Sequence, residues 1–179
     1  HQHVCMIYNG FDTKKFYPNN KPYERSKSVK IGNIGRVVFL KNQMQIIRAL
    51  EKVPHANLVI IGDSGDKSEE IAKYIMNQKL EGRISILPAT DNILHYYHNF
   101  DFIVISSHLE GCPNVAFESM LSKCLCIISV HANTDQYVKN KVNGLVYDGS
   151  DEDLVRSIDY AIGILGDDMH ETMLKNAYN

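Results

Sequence analysis

Short apolar runs alternate along the chain with longer stretches in which apolar residues recur every three or four positions. The runs Val29–Ile34, Leu58–Ile61, Ile84–Leu87, Phe102–Ser106, Leu125–Ser129 and Leu145–Tyr147 read as strands. Leu58-Val59-Ile60-Ile61 and Phe102-Ile103-Val104-Ile105 are continuous and rich in β-branched residues, the pattern of strands covered on both faces. Three stripes lie between them: Met44, Ile47, Leu50 and Val53; Ile71, Ala72, Ile75 and Met76; Leu154, Val155, Ile158, Ile162 and Leu165. Each is one face of an amphipathic helix. Ser150-Asp151-Glu152-Asp153 has the form of a capping box, and Asp66-Lys67-Ser68-Glu69 is similar. Gly82 is a natural stop for the helix beginning near Ser68, and Thr90–Asn99 reads as a further helix. Strand–helix alternation with right-handed crossovers predicts an α/β domain: a doubly wound, Rossmann-like parallel sheet of about six strands with helices on both faces.

Residues 1–28 break this rhythm. Pro18, Asn19, Asn20, Lys21 and Pro22 interrupt any regular element, so 1–28 reads as an irregular interdomain linker and 29–179 as the domain itself. The 179 residues are 44% hydrophobic and 22% charged, enough for one soluble domain with a real core. A net charge of −2 offers no basic footprint for nucleic acid. No apolar run approaches the roughly 20 residues of a membrane span, and His1–Gly10 lacks the charged start and long apolar stretch of a signal peptide. The four cysteines, Cys5, Cys112, Cys124 and Cys126, form no Cys-x-x-Cys pair, which argues against a zinc ribbon. They are expected to be reduced, in a cytoplasmic protein.

In a doubly wound sheet, ligands sit outside the carboxyl ends of the strands near the switch in strand order. Two loops there carry chemistry. Gly35-Arg36-Val37-Val38-Phe39-Leu40-Lys41 follows the first strand. Gly35 permits a tight turn, and Arg36 and Lys41 bracket a loop that opens a helix, a combination suited to a diphosphate. On spacing alone, two solvated loop charges are the favoured reading. The spacing fits neither a Walker loop nor a dinucleotide fingerprint. Ser106-Ser107-His108-Leu109-Glu110-Gly111-Cys112-Pro113-Asn114-Val115-Ala116-Phe117-Glu118 follows the fourth strand. Its Gly-x-Pro-Asn feeds a helix whose first amides, near Asn114 and Val115, attract phosphate oxygens. Glu110 and Glu118 flank that anion site, although Asn114 as a simple cap and Glu118 as a first-turn acid also account for the pattern. His95 and His98 are spaced for a metal but have no third partner in view, and a half-exposed helix face is the favoured reading.

In this order the segments resemble the C-terminal, donor-binding domain of a retaining GT-B glycosyltransferase, most similar to glycosyltransferase family 4. Glu110 to Glu118 matches the family's E-x7-E segment, and Gly35-Arg36 with Lys41 its phosphate-binding Arg and Lys. Asn9-Gly10-Phe11-Asp12 with Phe16 and Pro18, Val59-Ile60-Ile61-Gly62-Asp63 and Asn143-Gly144-Leu145-Val146 match weaker landmarks, from Asn9 to about Leu165. The resemblance implies transfer of a sugar from a nucleotide-diphospho-sugar with retention. Arg36 and Lys41 would neutralise the leaving diphosphate beside Gly35, Gly111, Pro113, Asn114 and Val115. Glu118 would bind the ribose, Glu110 would be the catalytic contact at the sugar, and Leu87-Pro88-Ala89 would border the base through its backbone. No metal and no cofactor is implied beyond the donor; Asp151-x-Asp153 is explained as a cap. Base, sugar and acceptor are not encoded in these residues.

Two departures stand out. Ala132-Asn133-Thr134-Asp135-Gln136 replaces the family's Gly-Gly loop and following Glu, and a loop without glycine approaches a ligand less closely. The acceptor-binding N-terminal domain is absent, so the resemblance implies a fragment whose partners are the donor and the missing half of the same parent chain, with peripheral membrane contact of that parent left open. The alternatives are a nucleotide-binding module of a degenerate, non-catalytic homologue and a non-enzymatic doubly wound regulatory domain.

Overall fold

The computed structural model describes residues 10–19, 23–24 and 26–178. Cys5 and Asn9 lie outside them. Strands β1 (Val29–Ile34), β2 (Ala56–Ile61), β3 (Ile84–Leu87), β4 (Phe102–Ile105), β5 (Leu125–Ser129) and β6 (Leu145–Tyr147) form one parallel sheet in the order β3-β2-β1-β4-β5-β6. The order reverses between β1 and β4, which pair through Ile31↔Phe102 and Gly32↔Ile103. Helices α1 (Gln43–Lys52), α2 (Ser68–Asn77), α3 (Ile93–Tyr97), α4 (Asn114–Leu121), α5 (Asp151–Ile164) and α6 (Asp168–Tyr178) alternate with the strands or close the chain.

The doubly wound parallel sheet is as predicted, and its continuous strands are buried because two cores sandwich it. One, including Ile46, Ile47, Leu50, Leu58, Ile71 and Leu154, gathers α1, α2 and α5. The other, including Tyr97, Ile103, Ala116, Cys126 and Ile128, lies under α3 and α4. Phe16, assigned from sequence to the linker, is part of the second core, and its ring meets Tyr97 edge-on at 6.0 Å. Burial pushes the Cys126 thiol up to about 12 and raises Cys124 as well, as expected of inert core cysteines.

Helix ends depart from expectation more than strands do. Ser150 is the expected cap, its Oγ accepting from the Asp153 amide at 3.1 Å. The Asp66–Glu69 box does not form: Ser68 Oγ turns back to accept from the Gly65 amide at 2.9 Å, and Asp66 accepts from the Phe39 amide at 3.3 Å. Helix α2 stops before Gly82, because Lys79 takes the left-handed conformation at φ 56°. Only Ile93–Tyr97 of the expected 90–99 helix is helical. Glycine is needed at Gly62, where a Cβ would sit 2.2 Å from the Gly35 carbonyl oxygen. The loops after β1 and β2 therefore meet backbone to backbone, with the Gly35 amide bonded to the Ile61 carbonyl at 2.9 Å.

In α6, His170 is 3% exposed and its Nδ1 accepts from the Gly166 amide at 3.2 Å. Burial lowers its imidazole below the ordinary 6.5, against the opposing pull of Glu171, Asp167 and Asp101. The folded state thus prefers the neutral ring, and the unfolded chain takes up the proton first as pH falls. Stability should decline below about pH 6.5. Urea midpoints measured from about pH 7.5 to about pH 5.5 should fall less for His170→Gln than for the wild type.

Candidate functional site

The reversal between β1 and β4 sends their following connections to opposite faces and leaves a crevice at their carboxyl ends. A cleft of about 240 Å³ opens there, lined by Asn33 and Ile34 of β1, Lys41, Ile105 of β4, and Ser107, Glu110, Cys112, Pro113, Asn114 and Val115 of the loop into α4. A larger cavity of about 690 Å³, bordered by Lys30, Asp101 and His170, involves the opposite ends of β1 and β4. It contains none of the loops expected to carry chemistry.

The position of Lys41 is built by backbone pairing. Phe39–Lys41 forms a single 3-10 turn, ended by Asn42 at φ 50°. Ser106, at the end of β4, donates its hydroxyl to the carbonyls of Lys41 at 2.8 Å and Asn42 at 3.0 Å. The His108 amide bonds the Leu40 carbonyl at 2.9 Å. The β1 loop is thereby fastened to the β4 loop. Gly35, at φ 147°, leaves room for the Lys41 stem, which a Cβ there would approach to 3.3 Å. The Lys41 ammonium reaches Glu110 Oε1 at 2.5 Å, and Ser107 Oγ donates to the same oxygen at 2.7 Å. These side chains are 30% and 16% exposed for Lys41 and Glu110, so the pair is desolvated more than a surface ion pair.

The α4 end of the cleft is partly as expected. Pro113, not Asn114, is the residue before the helix, and it offers no side-chain cap. The Asn114 amide is engaged by the Cys112 carbonyl at 2.9 Å, and the Ala116 amide by Pro113 at 2.8 Å. A Cβ at Gly111 would meet nothing within 4 Å, so neither space nor backbone demands glycine there.

Other predicted residues stand apart. Arg36 is exposed and does not line the cleft; its carbonyl accepts from Nε2 of the Gln43 side chain at 2.9 Å. Pro88 is exposed beyond β3 and outside the cleft. Glu118 also lies outside it: Oε2 accepts from the Tyr97 hydroxyl at 2.8 Å. Burial raises the Glu118 carboxyl, while Tyr97 and then Lys15 pull it back down. The replacement loop is held by its own side chain, since the Asn133 amide donates to the Val138 carbonyl at 2.8 Å and accepts from the Val138 amide at 3.1 Å. None of residues 132–136 lines the cleft. His98 accounts for itself through a bond to the Tyr17 carbonyl at 2.8 Å.

Sequence reasoning singled out neither Asn33 nor Ser107. Asn33 is 4% exposed; its Nδ2 bonds the Val104 carbonyl at 2.9 Å, and its Oδ1 is buried without a partner. The available signal for Asn33 was an amide between the apolar Ile31 and Ile34 of β1.

The fold and cleft define a doubly wound α/β protein with a crevice at the switch in strand order. The model of the family "Glycosyl transferases group 1" matches residues 18–179, and the chain belongs to that family. It is similar to the C-terminal domain of a glycosyl transferase group 1 family protein from Francisella tularensis, with a TM-score of 0.77, 25% identity and coverage of 94% of this chain and 95% of that one. Anabaena HepE, solved in complex with UDP-glucose, has the same fold, with a TM-score of 0.84, 23% identity and coverage of 96% of this chain and 50% of that one. An Escherichia coli UDP-Gal:alpha-D-GlcNAc-diphosphoundecaprenol alpha-1,3-galactosyltransferase is 25% identical over 98% of this chain and 49% of its own length. An uncharacterized Methanocaldococcus jannaschii glycosyltransferase is 33% identical over 57% of this chain and 26% of its own. The chain spans at most about half the length of these two relatives. Among the described residues no helix is long and apolar enough to cross a membrane.

Tyr97→Phe should leave the partly buried Glu118 without its hydroxyl donor. A loss of about 1–3 kcal/mol is expected, read by urea denaturation at neutral pH with the native far-UV spectrum retained.

Proposed function

We propose that the chain is the donor-binding half of a retaining glycosyltransferase. The observation that carries this is the meeting of Lys41 and Glu110 at the strand-order reversal, beside the start of α4. In this reading the Lys41 ammonium and the first turn of α4 hold the diphosphate of a nucleotide sugar. Charge that develops there as the sugar bond breaks is met by groups already in place. Arg36 swings onto the same phosphates from its exposed loop. Glu110 contacts the sugar, Glu118 the ribose hydroxyls, and the backbone around Pro88 the base. The reaction needs no metal, and the neutralising is done by side chains and helix amides. A uridine nucleotide is the first to test, because the E. coli relative is named for UDP-Gal and HepE was solved with UDP-glucose.

The acceptor is held by an N-terminal half of the parent chain, facing this cleft, in an enzyme that acts in the cytoplasm or against its membrane. The share of the relatives' length left unmatched supports this. A second reading is favoured by the braced 132–136 loop: a homologue that binds nucleotide without transferring sugar. Transfer assays on a parent chain carrying both halves separate the two.

Thermal shift with UDP, GDP, ADP and CMP, and their sugar conjugates, should single out one base. Ligand at a hundredfold excess over its Kd should stabilise the chain by about 2.7 kcal/mol. Lys41→Ala and Arg36→Ala should weaken the nucleoside diphosphate far more than the nucleoside, and their effects should be non-additive. Equal loss for both ligands would count against a phosphate clamp. Residues 1–179 alone should not transfer sugar to an acceptor.

A further inference from the structure

The family resemblance implies Lys41 at the diphosphate and Glu110 at the sugar as separate contacts. The structure joins them through a 2.5 Å ion pair between residues 69 positions apart. Both hydrogen bonds that Glu110 accepts through its side chain, from Lys41 and from Ser107, end on Oε1. No described residue bonds Oε2. Ser107 is itself rigidly placed: it is 2% exposed, and its carbonyl accepts from the Ser129 hydroxyl at 2.8 Å.

Two acceptors on one ammonium lie within about 5 Å of each other, since each sits about 2.8 Å from the nitrogen. A carboxylate and a phosphate oxygen held that close in a partly buried cleft repel strongly. Lys41 therefore cannot serve both at full strength. We propose that Glu110 and the ligand's diphosphate are alternative partners of Lys41, and that Ser107 is the positioning residue that keeps Glu110 in the cleft when the ammonium turns to phosphate. The idea rests on the nucleotide-sugar reading of this site and adds an order of events to it. The diphosphate takes the ammonium, Glu110 keeps the Ser107 hydroxyl, and the carboxylate freed from its counter-charge becomes the stronger acceptor for a sugar hydroxyl. A ligand with diphosphate but no sugar meets only the competition. A ligand with both recovers the carboxylate as a contact.

The test is calorimetry of nucleoside, nucleoside diphosphate and nucleotide sugar on the wild-type chain, Glu110→Gln, Ser107→Ala and Ser107→Thr. Glu110→Gln keeps the shape and removes the competing charge. It should bind the nucleoside diphosphate about fivefold more tightly, leave the nucleoside unchanged, and lose the extra affinity conferred by the sugar. Ser107→Ala should keep or slightly raise affinity for the nucleoside diphosphate while losing the sugar's increment, and Ser107→Thr should restore it. In the wild-type chain the carboxyl-carbon resonance of Glu110 should move on adding nucleoside diphosphate and stay still with nucleoside; this readout requires no variant to fold. Unchanged or weaker nucleoside-diphosphate binding by Glu110→Gln overturns the competition. Equal effects of Ser107→Ala on both phosphorylated ligands, or none on either, overturn its positioning role. A wild-type chain and a Glu110→Gln variant that both bind no nucleoside diphosphate sink the proposed function itself, and this inference with it.

Discussion

The lateral pairing of β1 with β4 is the constraint from which the rest of the molecule follows. These two strands are neighbours in space and distant in sequence, and the connections leaving them run to opposite faces of the sheet. Their carboxyl ends can be covered by neither connection, so two loops are left side by side over a gap. The hydroxyl of Ser106 closes that arrangement by bonding the Lys41 and Asn42 carbonyls. It spends a strand-end side chain on the neighbouring loop's backbone, and so Lys41 is aimed by the sheet rather than by its own flexible stem. Gly62 does related work from the β2 side, where its backbone approaches that of Gly35 too closely for any Cβ.

Charge in the cleft is managed by pairing. Removing an ammonium or a carboxylate from water is costly unless the partner is close and further hydrogen bonds are supplied. Lys41 and Glu110 meet both conditions through their contact and the Ser107 hydroxyl. Glu118 is handled differently. Among the described residues no cation lies at hydrogen-bonding distance of it, burial raises its carboxyl, and the Tyr97 phenol supplies the compensating donor. One carboxylate is thus tied to a charge, and the other to a neutral group rooted in the core.

Strands were readable because their signal is local: Phe102–Ile105 and Leu125–Ser129 are continuous β-branched or apolar runs, and burial on both faces permits little else. The positions of the loops bearing Lys41 and Glu110 were readable for the same reason, since each directly follows a strand. The start of α2 was not, because its capping groups have other partners. Ser68 caps nothing because the Gly65 amide claims its hydroxyl, and Asp66 is drawn to the Phe39 amide in another loop. The Lys41–Glu110 bond was illegible too, because two residues 69 apart meet only once strand order is known. Arg36 fits the family pattern by spacing, yet its side chain lies outside the cleft. Spacing fixes where a residue's backbone is, and a long charged side chain on an exposed loop still has many rotamers to choose from.

The loop at 132–136 shows why a departure from a family pattern has to be judged by what its residues do for themselves. Glycines in such a loop would let backbone amides approach a ligand. Here Asn133 is 6% exposed, and both ends of its amide are consumed by Val138. Ala132 is fully buried, with its amide donating to Ser129 Oγ at 3.1 Å. The segment has become a small self-bonded plug on the β5 side of the site. Its remaining tie to the cleft is the long bond from the Thr134 hydroxyl to the Glu110 carbonyl at 3.4 Å. That same Ser129 hydroxyl donates to the Ser107 carbonyl, so the plug and the carboxylate's support share an atom. Rigidity here therefore bears on the backbone of Ser107 and Glu110, whose carbonyls accept the Ser129 and Thr134 hydroxyls.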